Sequence, residues 1–183
     1  MRIIAGKARS LPLKSVPGKG TRPTPDRIKE TLFNILQTEI YDAVFLDLFS
    51  GSGGIGLEAL SRGARKCVFV EQDRTAADII SQNIAFTRMQ SHATLYRKDF
   101  LAALKSMEGR EVFDIIFADP PYDRQLEYQL FEYLKDSFLV EAHTLIIVEA
   151  SLKTDVSYLP ELGFKLVKTK KYKTNQHIFV QKA

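Results

Sequence analysis

Asp119-Pro120-Pro121-Tyr122 follows the largely apolar run 113–118 and sets a carboxylate, a carbonyl and an aromatic ring side by side. Two adjacent prolines fix φ and remove two backbone donors, so the chain leaves the run as a stiff loop that cannot continue as a helix. The plain reading is a strand-terminating turn with Tyr122 packed beneath it. The chemical reading is an acceptor pair for a planar amine. An exocyclic amine on a base is a poor nucleophile because its lone pair is delocalised into the ring, and acceptors on both N–H groups favour a pyramidal nitrogen. The Asp119 carboxylate and the Pro120 carbonyl could supply them, while Tyr122 could stack on a base swung out of its helix. Such an attack requires no metal and no covalent nucleophile. It does require an electrophilic methyl held in line, where proximity provides much of the acceleration.

A second constellation offers that methyl. Within Asp47-Leu48-Phe49-Ser50-Gly51-Ser52-Gly53-Gly54-Ile55-Gly56, the glycines at 51, 53 and 56 have the spacing of a nucleotide-binding turn, and Glu71 closes the next apolar run. In such turns one glycine allows the tight bend, one the close approach of a ligand and one the packing of helix on strand. An acid at the end of the second strand can accept both ribose hydroxyls of an adenosine. The plain alternative is a glycine-rich turn with a surface glutamate. Two ligands compete, a nicotinamide dinucleotide with its pyrophosphate on the helix N-terminus and S-adenosylmethionine. Asp47 favours the second, since its charge repels a pyrophosphate and suits the ammonium of the methionine moiety. Asp99-Phe100 adds a carboxylate for an adenine amino group and an aromatic or backbone contact for the ring, although Asp99 could equally be an N-cap. The cofactor-binding candidates are therefore Asp47, Phe49, Gly51, Gly53, Gly56, Glu71, Asp99 and Phe100. The catalytic candidates are Asp119, Pro120 and Tyr122, and no metal is expected.

These groups need a frame that brings strand ends together. From Ala43 onward, short apolar runs at 44–49, 66–71, 93–97, 113–118 and 144–150 alternate with helical stretches at 54–62, 75–86, 100–107 and 125–137. Gly63 is a C-cap for the first of these helices, and Leu126, Leu130 and Leu134 repeat every four residues in the last. Continuous apolar strands joined by helices imply a doubly wound, mainly parallel α/β sheet covered on both faces. After Pro160 and Gly163 the rhythm changes to two runs, 164–172 and 177–181, that read as an antiparallel C-terminal hairpin turning through Lys173-Thr174-Asn175-Gln176. Ahead of the core, Thr24-Pro25-Asp26 carries an N-cap, a first-turn proline and a first-turn acid, predicting a helix to about Thr38 with Ile28, Leu32, Ile35 and Leu36 on one face. Residues 1–23 read as a basic, extended arm with a short strand at Arg2-Ile3-Ile4. The expected layout is one domain, 1–183, with this arm, an N-terminal helix region over 24–40 and an α/β core over 43–183.

With 183 residues and 45% hydrophobic content the chain suits one domain with a substantial core. No apolar segment approaches the length of a membrane span, so neither secretion nor insertion is expected. The single cysteine, Cys67, sits inside an apolar run like a small hydrophobe; it is no nucleophile for a 5-methylcytosine mechanism, and its isolation suits a reducing cytoplasm. The net charge of +4 is unevenly placed: residues 1–30 hold eight Lys or Arg against two acids, and 165–173 hold five Lys and no acid. Basic ends suit a polyanionic partner, with Arg2, Lys7, Arg9 and Arg22 as candidates for RNA contact, although solvated basic segments are common.

Taken together, Arg2-Ile3-Ile4-Ala5-Gly6, Thr21-Arg22-Pro23-Thr24, Asp26-Arg27-Ile28-Lys29-Glu30, Leu32-Phe33-Asn34, the stretch 47–63 and Asp119-Pro120-Pro121-Tyr122 carry a resemblance over most of the chain. The chain resembles the bacterial methyltransferase family that makes N2-methylguanine in small-subunit ribosomal RNA. The resemblance implies a seven-strand class I methyltransferase fold, Rossmann-like, with S-adenosylmethionine as donor and one guanine amino group as target. It also implies that the substrate is a partly assembled ribosomal subunit, and a monomeric cytoplasmic enzyme is expected. Ala5 stands where that family often has glycine, and Lys173-Thr174-Asn175 lacks a glycine often seen near the last hairpin. The loop around Asp119 is also shared by enzymes that methylate adenine N6 in DNA or RNA, or glutamine in protein, so by itself it selects an amine or amide nitrogen. A dinucleotide-dependent oxidoreductase and a non-catalytic RNA-binding module are the alternatives from other classes. The first lacks a hydride-transfer site downstream of the glycines, and the intact acid, prolines and Tyr argue against the second.

Overall fold

The computed structural model describes residues 1–17, 24–122 and 124–183, which divide into two compact units, Met1–Phe100 and Leu101–Ala183. The fold is a seven-stranded mixed α/β sheet of order β3-β2-β1-β4-β5-β7-β6. No helix among the described residues is long and apolar enough to cross a membrane.

In the first unit, β1 (Val44–Leu48), β2 (Lys66–Val70) and β3 (Ala93–Tyr96) are parallel, with β2 central. Every residue of β1 is buried, as expected of a strand covered on both faces. Helix α2 (Gly54–Ser61) is buried along its whole length, and α3 (Arg74–Phe86) turns Ala76, Ala77, Ile80 and Ile84 inward. Asp73, just ahead of α3, caps it by accepting from the Ala76 N–H at 2.8 Å, so this helix starts one residue before the expected Thr75. Helix α1 (Asp26–Ile35) departs further from expectation. Pro25 holds the cap position, no side chain caps the helix, and the Pro25 carbonyl takes the first amides, Ile28 and Lys29. The helix ends at Ile35, ahead of the expected Thr38, and the chain tightens into turns up to Ile40.

The segment expected to be an extended arm is instead folded onto α2. Arg2 and Pro12 form an isolated antiparallel bridge, Ile3 exchanges hydrogen bonds with Leu11 and Ser10, and Ile3, Ala8 and Leu13 are buried. The fastening is the Glu58 carboxylate, fully buried on α2. It accepts from the amides of Ile4 (2.8 Å) and Ala5 (3.0 Å) and pairs with Arg62 (2.8 Å) and Lys29 (3.3 Å). Lys29, 1% exposed, also donates to the Arg2 carbonyl. A charge so deeply buried is tolerated because it is paired and hydrogen-bonded. Gly6 has φ +83°, and a Cβ there would lie 1.9 Å from the Ser61 carbonyl oxygen, so only glycine lets the segment lie this close to α2.

In the second unit, β4 (Ile115–Ala118) and β5 (Leu145–Ser151) are parallel, β7 (Asn175–Lys182) runs antiparallel to β5, and β6 (Phe164–Lys171) pairs outside β7 with a bulge between Leu166 and Lys168. Helix α4 (Phe100–Met107) has the expected bounds, and α5 (Leu126–Leu134) buries Leu130, Phe131 and Leu134. The hairpin turn is shorter than expected, because Asn175 and Gln176 belong to β7. Both are buried polar residues whose side-chain N–H groups find acceptors across the sheet, Gln176 on the Ser151 carbonyl and Asn175 on Glu149.

Candidate active site

The glycine turn of the first unit is built by backbone geometry. After β1, Phe49 (φ +60°), Gly51 (φ +56°) and Gly53 (φ +79°) all adopt left-handed conformations, and the Gly53 amide closes the bend on the Ser50 carbonyl at 2.7 Å. For Phe49 that conformation is strained, a cost that tends to collect at functional sites. Ser50 ties the bend to β2: its hydroxyl donates to the Asp47 carbonyl (2.6 Å) and accepts from the Val70 amide (3.0 Å). A Cβ on Gly51 would meet nothing within 4 Å among the described residues. A Cβ on Gly56 would lie 2.3 Å from the Phe69 ring and 2.6 Å from the Cys67 sulfur. The third glycine thus seats α2 on β2, as its spacing implies.

Two carboxylates hold this turn. Asp47 is 2% exposed, and its Oδ2 accepts from the Gly56 N–H at 2.9 Å in the first turn of α2. Burial pushes its carboxyl up to about 7; the Gly56 N–H opposes the shift, and the charge of Glu71 adds to it. Glu71, half-buried past the end of β2, accepts from the amides of Gly51 (2.9 Å) and Asp73 (2.8 Å). Each of its oxygens has a further lone pair for a hydroxyl donor. Phe49 and Phe100 pack with ring centroids 5.0 Å apart, and the exposed Asp99 directly precedes α4. Asp47, the glycines and Glu71 are therefore brought together, with the Phe49–Phe100 pair following from the same bend.

Sequence reasoning missed two supports of this turn. Asn83, buried on α3, donates to the carbonyls of Ser52 (2.9 Å) and Lys14 (3.0 Å) and accepts from the Lys14 amide, stitching the glycine turn to the N-terminal segment. The Met1 thioether lies against Gly54 and 3.9 Å from the Ser52 hydroxyl. A polar residue on the buried face of α3 was the available signal for Asn83; nothing local marked Met1.

In the second unit, Asp119 is half-buried, Pro120 buried and Pro121 exposed. Tyr122 is 43% exposed, and its hydroxyl donates to Glu149 Oε1 at 3.2 Å. Burial, then the charges of Glu149 and Asp119, push its phenol well above the usual range. Glu149 on β5 also receives Asn175 Nδ2 on Oε1 and faces His177 Nε2 at 3.1 Å through Oε2; His177 Nδ1 lies 3.3 Å from the Tyr172 hydroxyl. Burial raises the Glu149 carboxyl, but the hydrogen bond and charge of His177, with the other donors, leave it below its ordinary value. Glu149, His177, Asn175 and Tyr172 were not among the residues expected here. A glutamate inside the apolar run 144–150 was the one signal in the sequence.

Of the residues expected to touch RNA, Arg2, Lys7 and Arg9 are exposed on the folded N-terminal segment, and Arg2 pairs with Asp26 at 2.9 Å. Arg22 lies outside the described residues, as does Thr21-Arg22-Pro23 as a whole. Lys165, Lys168, Lys170 and Lys171 are exposed along β6, followed by Lys173 in the turn.

A family model described as conserved hypothetical protein 95 matches residues 1–181. Among curated relatives, ribosomal RNA small subunit methyltransferase D of Haemophilus influenzae is 39% identical over 150 residues, covering 81% of this chain and 78% of that protein. The solved structure of yhhF from Escherichia coli matches with a TM-score of 0.87 and 34% identity over 100% of this chain and 97% of that one. A more distant chain, SMU.776 complexed with SAH, has a TM-score of 0.66 at 14% identity over 84% of this chain and 49% of its own, a likeness of fold alone.

Proposed function

Because this chain belongs to the family described as conserved hypothetical protein 95, the family of the small-subunit ribosomal RNA methyltransferases, we propose that it methylates the exocyclic N2 amine of one guanine in that RNA. At the coarser level it is an S-adenosylmethionine-dependent ribosomal RNA methyltransferase. The finer reading includes a monomer in the cytoplasm that acts on an assembled or assembling small subunit.

The first unit fits the donor. Space left beside Gly51 by the described residues, two left-handed glycines and a carboxylate with spare lone pairs make a cradle that a Cβ at Gly51 would partly fill. In this reading Glu71 takes the ribose hydroxyls, Asp99 the adenine amino group, Phe49 and Phe100 flank the ring, Gly53 lets the turn approach closely, and Asp47 faces the ammonium. When bound, the donor supplies a methyl on positively charged sulfur, open to attack by a nitrogen.

The acceptor chemistry falls to the loop after β4, and ligands of doubly wound sheets bind beyond the carboxyl ends of the strands. Asp119 and the Pro120 carbonyl accept the two N–H groups of the amine, and the Tyr122 ring stacks on the base. One observation carries this division of roles. The Tyr122 proton is already donated to Glu149 and its phenolate is disfavoured, so the hydroxyl is no acid or base for the amine. Tyr122 acts through its ring, and proton acceptance is left to Asp119. The exposed lysines of β6 and the basic N-terminal segment suit the phosphate backbone.

Tritium transfer from labelled donor to small subunits, free RNA and DNA, followed by mass spectrometry of the nucleosides, tests the proposal. Label is expected in N2-methylguanine, with assembled subunits the best substrate. Label in N6-methyladenine would overturn the choice of amine.

A further inference from the structure

We infer that Glu149, held by His177 and Asn175, is a positioning residue that locks the ring of Tyr122 into the plane in which it receives the base. The inference rests on the reading of Tyr122 as the stacking platform and adds the device that orients it.

Glu149 and His177 are directly opposed across the β5–β7 pair, so the two side chains meet by register. Glu149 is buried, and its partners are an amide, an imidazole and a phenol rather than lysine or arginine. Burying a carboxylate is costly, and an apolar side chain at such a position is often neutral or stabilising. Glutamate at this strand position is accounted for by the hydrogen bonds it receives, one of which comes from Tyr122. Asn175 makes the same point from the other side: its Nδ2 donates to Glu149 Oε1, while its buried Oδ1 has no hydrogen-bond partner among the described residues. Leaving that oxygen unpaired costs stability, so the amide is oriented for the carboxylate. His177, fully buried, presents Nε2 to Glu149 and Nδ1 to the Tyr172 hydroxyl. Ring edges of Phe117 at 5.8 Å and Tyr172 at 5.0 Å leave the imidazole little room to turn.

Among these groups, only Tyr122 belongs to the loop after β4. Its Cα follows two prolines, and its hydroxyl is fixed on Glu149 at the far end of the ring. A side chain held at both ends loses the freedom of its two torsions before the base arrives, and a platform set in advance is what in-line attack requires.

The test compares Tyr122→Phe, Glu149→Leu, which leaves no acceptor for the Tyr122 hydroxyl, and the double variant. Phenylalanine keeps the ring and removes only the anchor, at an exposed position where folding is safe. Each single variant is expected to lower kcat on small subunits about tenfold, with donor affinity by calorimetry and the KM for subunits within about twofold. The double variant should lose no more than either single one, because both remove the same contact. Tyr122→Phe with full kcat, or losses that multiply to about a hundredfold in the double variant, would overturn the inference. The same cycle is read without RNA as thermal stability, where non-additive shifts in Tm report the Tyr122–Glu149 contact in the free protein. If wild-type protein methylates no RNA, the functional reading fails while this coupling persists. If methylation is normal and the coupling is absent, only the anchor fails.

Discussion

Replacing Asp47 by asparagine separates two consequences of burying one carboxyl. The folded protein holds this group near 7 against an ordinary value of 3.8, so between those limits the folded chain binds a proton that the unfolded chain has released. Stability contributed by the protonated carboxyl is therefore lost as pH rises from about 4 to about 7, and the full penalty for the charge applies above that. A shift of about 3 units corresponds to about 4 kcal/mol as a ceiling. Asparagine has no charge to bury and keeps an oxygen for the Gly56 N–H. In urea titrations at stepwise pH, the stability of Asp47→Asn minus that of wild type should grow by a few kcal/mol from pH 4 to pH 7 and then level off. Parallel curves would refute the argument that this carboxyl is buried and uncompensated in the free protein.

The same group gives a binding prediction of opposite sense. If Asp47 faces the donor's ammonium, the cation lowers the carboxyl's pKa, so binding releases a proton below about pH 7. Donor affinity of the wild type should then tighten with pH, by at most about tenfold per unit, and level off near neutrality, whereas Asp47→Asn should be weaker and pH-flat. A normal stability profile with pH-independent affinity in both proteins would leave Asp47 as the fastener of α2 and remove it from the donor site.

Asp119→Ala should lower turnover at least about 100-fold while donor affinity by calorimetry stays nearly constant, because the lost contact belongs to the transition state; equal loss of both would take Asp119 out of the acceptor role. Gly56→Ala forces a methyl to within 2.3 Å of the Phe69 ring and should cost about 1–3 kcal/mol in urea unfolding; wild-type stability would show that α2 shifts freely on β2. Glu58→Ala strands Lys29 as an unpaired buried cation and frees the Ile4 and Ala5 amides. A loss of about 3–5 kcal/mol is expected, with faster proteolysis near the N-terminus, and protease resistance equal to wild type would refute the fastening role. Neutralising Arg2, Lys7, Arg9 and Arg22 should weaken subunit binding and flatten the plot of log affinity against log salt by about 0.7–0.9 per lost phosphate contact; an unchanged slope would mark the segment as merely solvated.

What the sequence revealed and what it hid divide along a physical line. The strands and the glycine turn were legible because their causes are local: continuous apolar runs, and glycines where φ must be positive. The ends of α1 were misread because Thr24, Pro25 and Asp26 satisfy the capping statistics in one register while the chain uses another, with the Pro25 carbonyl taking the first amides. The N-terminal segment read as an arm because its composition is polar and turn-rich. Its fold depends on Glu58, more than fifty residues away, and on a close approach that only Gly6 permits. Asn175 and Gln176 read as turn residues because polar side chains are rarely buried, yet here β5 supplies their partners.

The same division separates the glycine turn after β1 from the loop after β4. The glycine turn is held largely through backbone: the glycine conformations, and carboxylates that receive the Gly51 and Gly56 N–H groups, show as residue spacing in the sequence. The loop after β4 is four residues long, but the groups around the Tyr122 hydroxyl come from positions 149, 175 and 177, beyond α5 and, for the last two, beyond β6. No local pattern can encode a contact made by register between β5 and β7.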